Sequence, residues 1–185
     1  MYKRQSLFNI NKEDKIGIFE VGMDKKGEID FLTKKIMPDI GIITNISYAH
    51  IKNFKNLKGV AHAKSEIINN IVEHGSIILN ADDKFFKFFK SKSKKRKLRI
   101  ISFGIKNKSD VSLININKGK FNSVIYIKNN NKKLKFVIKK NLENYIYNIL
   151  STLAVISLYF DLEKLDKFFF NDYQFPEGRG DLNII

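Results

Sequence analysis

Two side chains in this chain, Glu20 and His50, have types suited to holding a cation, and Lys64 is grouped with them as a third candidate site residue. Glu20 lies at the end of a short apolar run at 16–21 (IGIFEV), and His50 lies in the polar loop 45–52 that follows a second run at 40–44 (IGIIT). If both runs are strands of an open parallel sheet, a carboxylate and an imidazole stand past strand carboxyl ends, where such sheets bind ligands. Lys64 lies on the helical stripe that follows. Taken alone, the three read first as a strand-end glutamate, a loop histidine and a solvated helix lysine. The chain has no cysteine, which excludes a thiol nucleophile, a disulfide scaffold and cysteine-built zinc or iron–sulfur sites. No G-x-x-x-x-G-K-[ST] phosphate loop occurs in its 185 residues.

These groups need elements to position them. The segment GEIDFLTKKI places Ile29, Leu32 and Ile36 on one helical face, and Pro38 ends it. Residues 57–74 read as one longer helix with Val60, Ala61, Ile67, Ile68 and Ile71 as its stripe and Gly75 after its end. The run 76–80 (SIILN) reads as a strand, and Asp82–Asp83 as the start of a helix holding Phe85, Phe86, Phe88 and Phe89. This alternation predicts a parallel sheet with helices on its faces. Beyond the basic run 92–99, four β-type runs at 98–103, 111–116, 123–127 and 134–138 have no helix between them. With turn signals at 117–119 and 129–133 they predict a small antiparallel subsheet. Helical pattern returns at 142–160 and 162–170, and 176–180 (PEGRG) reads as a linker. The predicted fold class is α/β, a mostly parallel sheet flanked by helices with a small antiparallel subsheet.

Thirty lysines and four arginines face 19 acids, for a net charge of +15. Residues 84–140 hold nineteen basic residues and one acid, Asp110. Nucleic-acid readers favour the planar fork of arginine, so a lysine belt reads first as a solvated face. A lysine-rich nucleic-acid-binding module is the alternative, and it requires steeply salt-dependent binding. No apolar run reaches the roughly 18 residues of a membrane span, and no signal peptide is legible. The chain reads as soluble, cytoplasmic and monomeric. Residues 1–5 lack periodicity and read as foreign to the domain, and the chain reads as truncated at both ends.

A resemblance is carried by four motifs in order. These are Glu20-Val-Gly followed by Gly27-Glu-Ile, then Pro38-Asp-Ile-Gly-Ile-Ile-Thr-Asn-Ile-Ser-Tyr-Ala-His, Ala63-Lys-Ser-Glu-Ile, and Leu79-Asn-Ala-Asp-Asp. Together they resemble the central ATPase domain of the Mur ligases, a P-loop-NTPase-like fold that is incomplete here, over about residues 6–175. The residues after 175 would then lead to a C-terminal domain. E-x-G followed by GEI is similar to the members that add D-alanyl-D-alanine.

The resemblance implies ATP and Mg2+ as cofactors, with UDP-N-acetylmuramoyl-tripeptide and D-Ala-D-Ala as substrates and no specific nucleic acid. It implies Glu20, His50 and Lys64 at the magnesium, with Lys64 carrying a carbamate. Mg2+ prefers hard oxygen ligands, and a carbamate makes an amine into one. Carbamylation requires a neutral amine, which desolvation or a neighbouring cation favours. Asn45 is expected to position the loop or a ligand, and His62 to lie at the surface. The family's His-Asn-x-x-Asn, near the adenine, corresponds to Asn144-Tyr-Ile-Tyr-Asn148, so Asn148 matches while Asn144 and Tyr145 depart. Arg179 resembles a hinge arginine that meets phosphate. The family's phosphate loop lies one strand upstream, so residues 1–185 alone are not expected to ligate. The altered Asn144–Tyr145 pair also admits a decayed homologue.

Overall fold

The computed structural model describes residues 13–48 and 54–175. Six strands form one sheet: β1 (Ile40–Ile43), β2 (Ser76–Asn80), β3 (Arg99–Gly104), β4 (Val111–Asn117), β5 (Asn122–Asn129) and β6 (Lys132–Lys139), in that spatial order. The helices are α1 (Glu28–Ile36), α2 (Leu57–Lys64), α3 (Ile67–Asn70), α4 (Phe86–Lys95) and α5 (Ile146–Ile156). The sheet is mostly parallel with antiparallel strands at one end and helices flanking it, as the sequence predicts.

The chain packs as two compact units. Of the described residues, the first takes in those up to Gly41, those within Asn45–Ile77, and Lys87–Arg99. Its α1 begins after Gly27 and ends at Ile36, two residues before Pro38. The expected helix over 57–74 is instead two pieces, α2 and α3, and by Ile71 the backbone is extended. The Ser65 hydroxyl donates back to the His62 carbonyl at 2.7 Å, a local alternative to the helical ladder at the break. His74 then takes a positive φ of 60°, and a Cβ on Gly75 would stand 2.7 Å from the Asp39 carbonyl oxygen. Gly75 therefore serves close backbone approach rather than a helix end.

The expected strand at 16–21 does not form. Ile16 and Ile18 are 73% and 90% exposed, and the chain there is irregular. A strand exists only where a neighbour completes its ladder, and among the described residues none pairs with this segment.

The second unit comprises Ile42–Thr44, Ile78–Phe86 and the chain from Ile100. In it β5 and β6 pair with Ser123 opposite Ile138, Ile125 opposite Phe136 and Ile127 opposite Leu134. All six are buried, so one face of this hairpin packs inward. Asn130, at φ 54°, and Asn131 make the two-residue turn. Phe136 meets Phe170 edge-on at 5.7 Å, and Ile149, Leu150, Leu153 and Ala154 bury the inner face of α5.

One assignment is corrected. The run at 98–103 is β3 and does not belong to an antiparallel subsheet, because β3 pairs with β4 in parallel at Phe103–Val111 and Gly104–Ser112. Parallel neighbours usually need a crossover of a dozen or more residues. Here the end of β3 meets only the start of β4, so a short loop suffices. The antiparallel strands are thus continuous with the main sheet. The helical signals at 142–160 and 162–170 shrink to α5, flanked by 3-10 turns at Lys140–Tyr145 and Leu162–Lys164.

Every lysine from 84 to 140 is exposed except Lys92, which is half-buried. The belt is a solvated face, as its composition predicts.

Candidate active site

Lys64 ends α2, a helix started by Asn56, whose side-chain oxygen accepts the Gly59 N–H at 3.0 Å. The half-buried Lys64 side chain donates from Nζ to the carbonyl oxygen of Asn45, two residues past β1, at 2.9 Å. The lysine is thereby held at the carboxyl end of a strand. Beneath it Met23, Ile29, Phe54, Val60 and Ala63 form one apolar cluster, against which Val21, Ile46 and Ile67 pack. Val21, Ile46 and Ala63 are the chain neighbours of Glu20, Asn45 and Lys64. The same cluster therefore seats the backbone beside all three, and the Glu20 carboxylate is exposed.

The loop after Glu20 is closed by polar contacts. The Glu28 carboxylate accepts the N–H groups of Asp24 at 2.6 Å and Lys25 at 3.1 Å. Gly27, the N-cap of α1, has φ 89° and no side chain to cap with. Glu66 supplies the acceptor: its carboxylate takes Gly27 N–H at 2.9 and 3.1 Å and Asp30 N–H at 3.2 Å. Lys92, from α4, donates to the carbonyl and hydroxyl of Ser65, each at 3.0 Å. Burial pushes the Lys92 ammonium below its usual range, against the opposing pull of Glu66 and Asp30. An open cavity of about 740 Å3 is lined by Lys26, Asp30, His62, Glu66 and Lys92 among others.

In the second unit Asn148 lies exposed in the first turn of α5, and its carbonyl accepts the Ser151 hydroxyl at 2.8 Å. Asn144 is exposed, and the ring of Tyr145 packs on Phe175 at 4.9 Å. Asp82 does not begin a helix. Its carboxylate accepts the N–H groups of Ile105 at 2.6 Å, Lys106 at 3.0 Å and Asn107 at 2.7 Å, plus the Tyr147 hydroxyl at 3.0 Å. Burial works against its charge, yet these donors outweigh it and hold the carboxyl below its ordinary range. Burial and the Asp82 carboxylate push the Tyr147 phenol up. The α4 helix starts later, at Phe86, after Asp83 accepts the Phe85 N–H at 2.8 Å.

Of the predicted site residues, Lys64 and Asn45 are in direct contact, and Glu20 borders the cluster beneath them. His50 and Arg179 lie outside the described residues. His62 is at the surface, with its ring 4.8 Å from that of Phe88. Glu66, Lys92 and Tyr147 went unread in the sequence. Glu66 had a signal, since it is the acid of the Ala-Lys-Ser-Glu-Ile motif. Lys92 sits in a lysine run that hides it, and Tyr147 reads as one more aromatic of an apolar helix.

Mostly parallel strands flanked by helices define an α/β domain, a class in which ligands commonly bind past the strand ends. The chain belongs to the Mur ligase middle domain family, whose profile matches residues 3–156. A UDP-N-acetylmuramoyl-tripeptide–D-alanyl-D-alanine ligase from Buchnera aphidicola is 39% identical over 113 residues, covering 60% of this chain and 24% of that protein. The same-named protein of Bacillus subtilis is 43% identical over 68 residues, covering 37% of this chain and 15% of that one. The crystal structure of MurF from Acinetobacter baumannii superposes with a TM-score of 0.83 at 26% identity, covering 94% of this chain and 37% of that one. MurF from Thermotoga maritima, solved in complex with ADP, shares the fold at a TM-score of 0.78 and 20% identity, covering 94% of this chain and 39% of that one. The chain thus spans about a quarter of the length of the first of these relatives.

Proposed function

We propose that this chain is part of an ATP-dependent peptide ligase that adds D-Ala-D-Ala to UDP-N-acetylmuramoyl-tripeptide in peptidoglycan precursor synthesis. The observation that carries the reading is the Lys64–Asn45 hydrogen bond above the cluster that also seats the residue after Glu20. The names of the relatives supply the reaction.

On this reading the tripeptide carboxylate takes the terminal phosphoryl group of ATP, releasing ADP. The amine of D-Ala-D-Ala then attacks the acyl carbon, an amide C–N bond forms, and phosphate leaves. Glu20, His50 and carbamylated Lys64 would hold the magnesium, which when bound would offset charge on the transferred group. The donors suit that ion. Glu20 offers an exposed carboxylate oxygen, and a carbamate on Lys64 adds another hard donor at the strand end. Asn45 orients Lys64 through its carbonyl, Asn148 meets the adenine, and Arg179 meets phosphate. Among the described residues no helix is long and apolar enough to cross a membrane.

The test is to assay the complete gene product for ADP release that depends on both the tripeptide nucleotide and D-Ala-D-Ala. Release that needs neither, or a third amine donor in place of D-Ala-D-Ala, would overturn the reading.

A further inference from the structure

We propose that Glu66 is a positioning residue that fixes the loop bearing Glu20 to the helix bearing Lys64. The inference rests on the ligase reading above, which places Glu20 and Lys64 at one magnesium.

The first turn of any helix leaves N–H groups without intrahelical acceptors. At α1 the N-cap is Gly27, which has no side chain to satisfy them. The acceptor comes instead from 39 positions away, where both Glu66 oxygens take Gly27 N–H and one also takes Asp30 N–H. A carboxylate there also complements the positive end of the helix dipole. Glu66 stands two residues after Lys64, at the turn between α2 and α3. The turn is held from its other side by Lys92, which donates twice to Ser65. Asn70 of α3 adds contacts to Asp30 at 2.9 Å and to the Thr33 hydroxyl at 2.9 Å, so α3 is tied to α1 at a second point.

Glu28 closes the segment between Glu20 and Gly27 locally onto α1 through the Asp24 and Lys25 N–H groups, and two further anchors tie it to the elements around Lys64. Met23 sits in the apolar cluster with Ala63, and Gly27 is tied to Glu66. The apolar anchor sets depth but is tolerant of sliding, because burial is non-directional. The hydrogen-bonded anchor is directional and sets where the loop ends. Loss of Glu66 therefore removes the directional tie at the end of the loop, leaving Glu28, the apolar cluster and the Asn70 contacts to hold it.

The experiment uses the complete gene product with Mn2+ as the probe for the metal, read by electron paramagnetic resonance. Hydrogen exchange at Gly27 and Asp30 serves as a second readout. Glu66→Gln is expected to weaken Mn2+ binding by about tenfold, the lower range for loss of an outer-shell partner. Exchange at the two amides should rise in parallel, and the rate at saturating Mg2+ should change less than the Mg2+ requirement. Glu66→Ala should exceed Glu66→Gln in both readouts, since the amide keeps one acceptor oxygen. If Glu66→Ala fails to fold, Glu66→Gln carries the test alone. Faster exchange with unchanged Mn2+ affinity would overturn the proposal, because Glu66 would then be only a helix cap. Glu20→Gln in the same protein separates the two readings. If it leaves Mn2+ binding intact, the metal reading itself falls; if it weakens binding while Glu66→Gln does not, only the role of Glu66 falls.

Discussion

The Lys64 amine donates to the Asn45 carbonyl at 2.9 Å, joining the last turn of α2 to the chain just past β1. Nineteen positions separate the two residues, and neither adjoins the other in any local element. The contact uses the Asn45 main chain, so the Asn45 side chain remains available to a ligand. It also means that Asn45→Ala keeps the lysine's anchor, whereas a change at Lys64 removes it.

Lys64→Ala in the complete ligase should lower kcat by about two to three orders of magnitude, the range seen when one oriented charge-stabilising group is lost. Small carboxylates added to the assay should restore part of the rate if the lysine acts as a carbamate. Steady-state ADP release measures both. A variant with near-parental turnover would remove Lys64 from the site.

Asp82 ties the 105–107 loop and Tyr147 to the end of β2. Its carboxyl is held below the ordinary value in the folded state. Its contribution to stability is therefore fully present above the unfolded value near ~3.9 and is lost as pH falls through the folded value. Asp82→Asn should be destabilised at neutral pH, with the gap to the parent closing only as pH falls below the ordinary carboxylate range. Urea titrations at neutral pH and at the acid end give the comparison.

Tyr147→Phe should cost about 1–2 kcal/mol, because a part-buried carboxylate loses one donor while keeping three backbone N–H groups. The same titrations check this. A loss of that size with no change in ATP affinity would confine Tyr147 to the fold, whereas a raised KM for ATP would tie it to Asn148 on the next position.

Gly75→Ala should destabilise by more than ~1 kcal/mol, since overpacking of close-fitted structure costs of that order. A Cβ at that position would lie 2.5 Å from Ile71 Cγ2 and 2.7 Å from the Asp39 carbonyl oxygen. Thermal unfolding of the variant gives the measurement.

The lysine face should bind RNA weakly and without sequence preference, and binding should fade between roughly 50 and 200 mM salt. Fluorescence anisotropy with two unrelated oligonucleotides would check it. Tight, sequence-selective binding would favour the nucleic-acid alternative.

The sequence by itself determined the elements whose signals are local. Helix α1 is bounded by Gly27 and Pro38, β2 is an unbroken apolar run, and the Asn130–Asn131 turn joins two alternating strands. The motif series also singled out Lys64 and Asn45, which the fold brings into contact, and the lysine belt declared itself a solvated face by composition. What tertiary structure decided depends on partners distant in the chain. Residues 16–21 carry a strand's composition but no ladder, because pairing is a property of two segments. Asp82 reads locally as a helix start, yet its carboxylate is claimed by N–H groups more than twenty positions away. Glu66 reads as an ordinary helix acid, and only folding brings it to an N-terminus that Gly27 cannot cap. A hydrogen bond formed across the fold leaves no period in the sequence, so the motif could single out Glu66 but neither residue's partner was legible before the segments met.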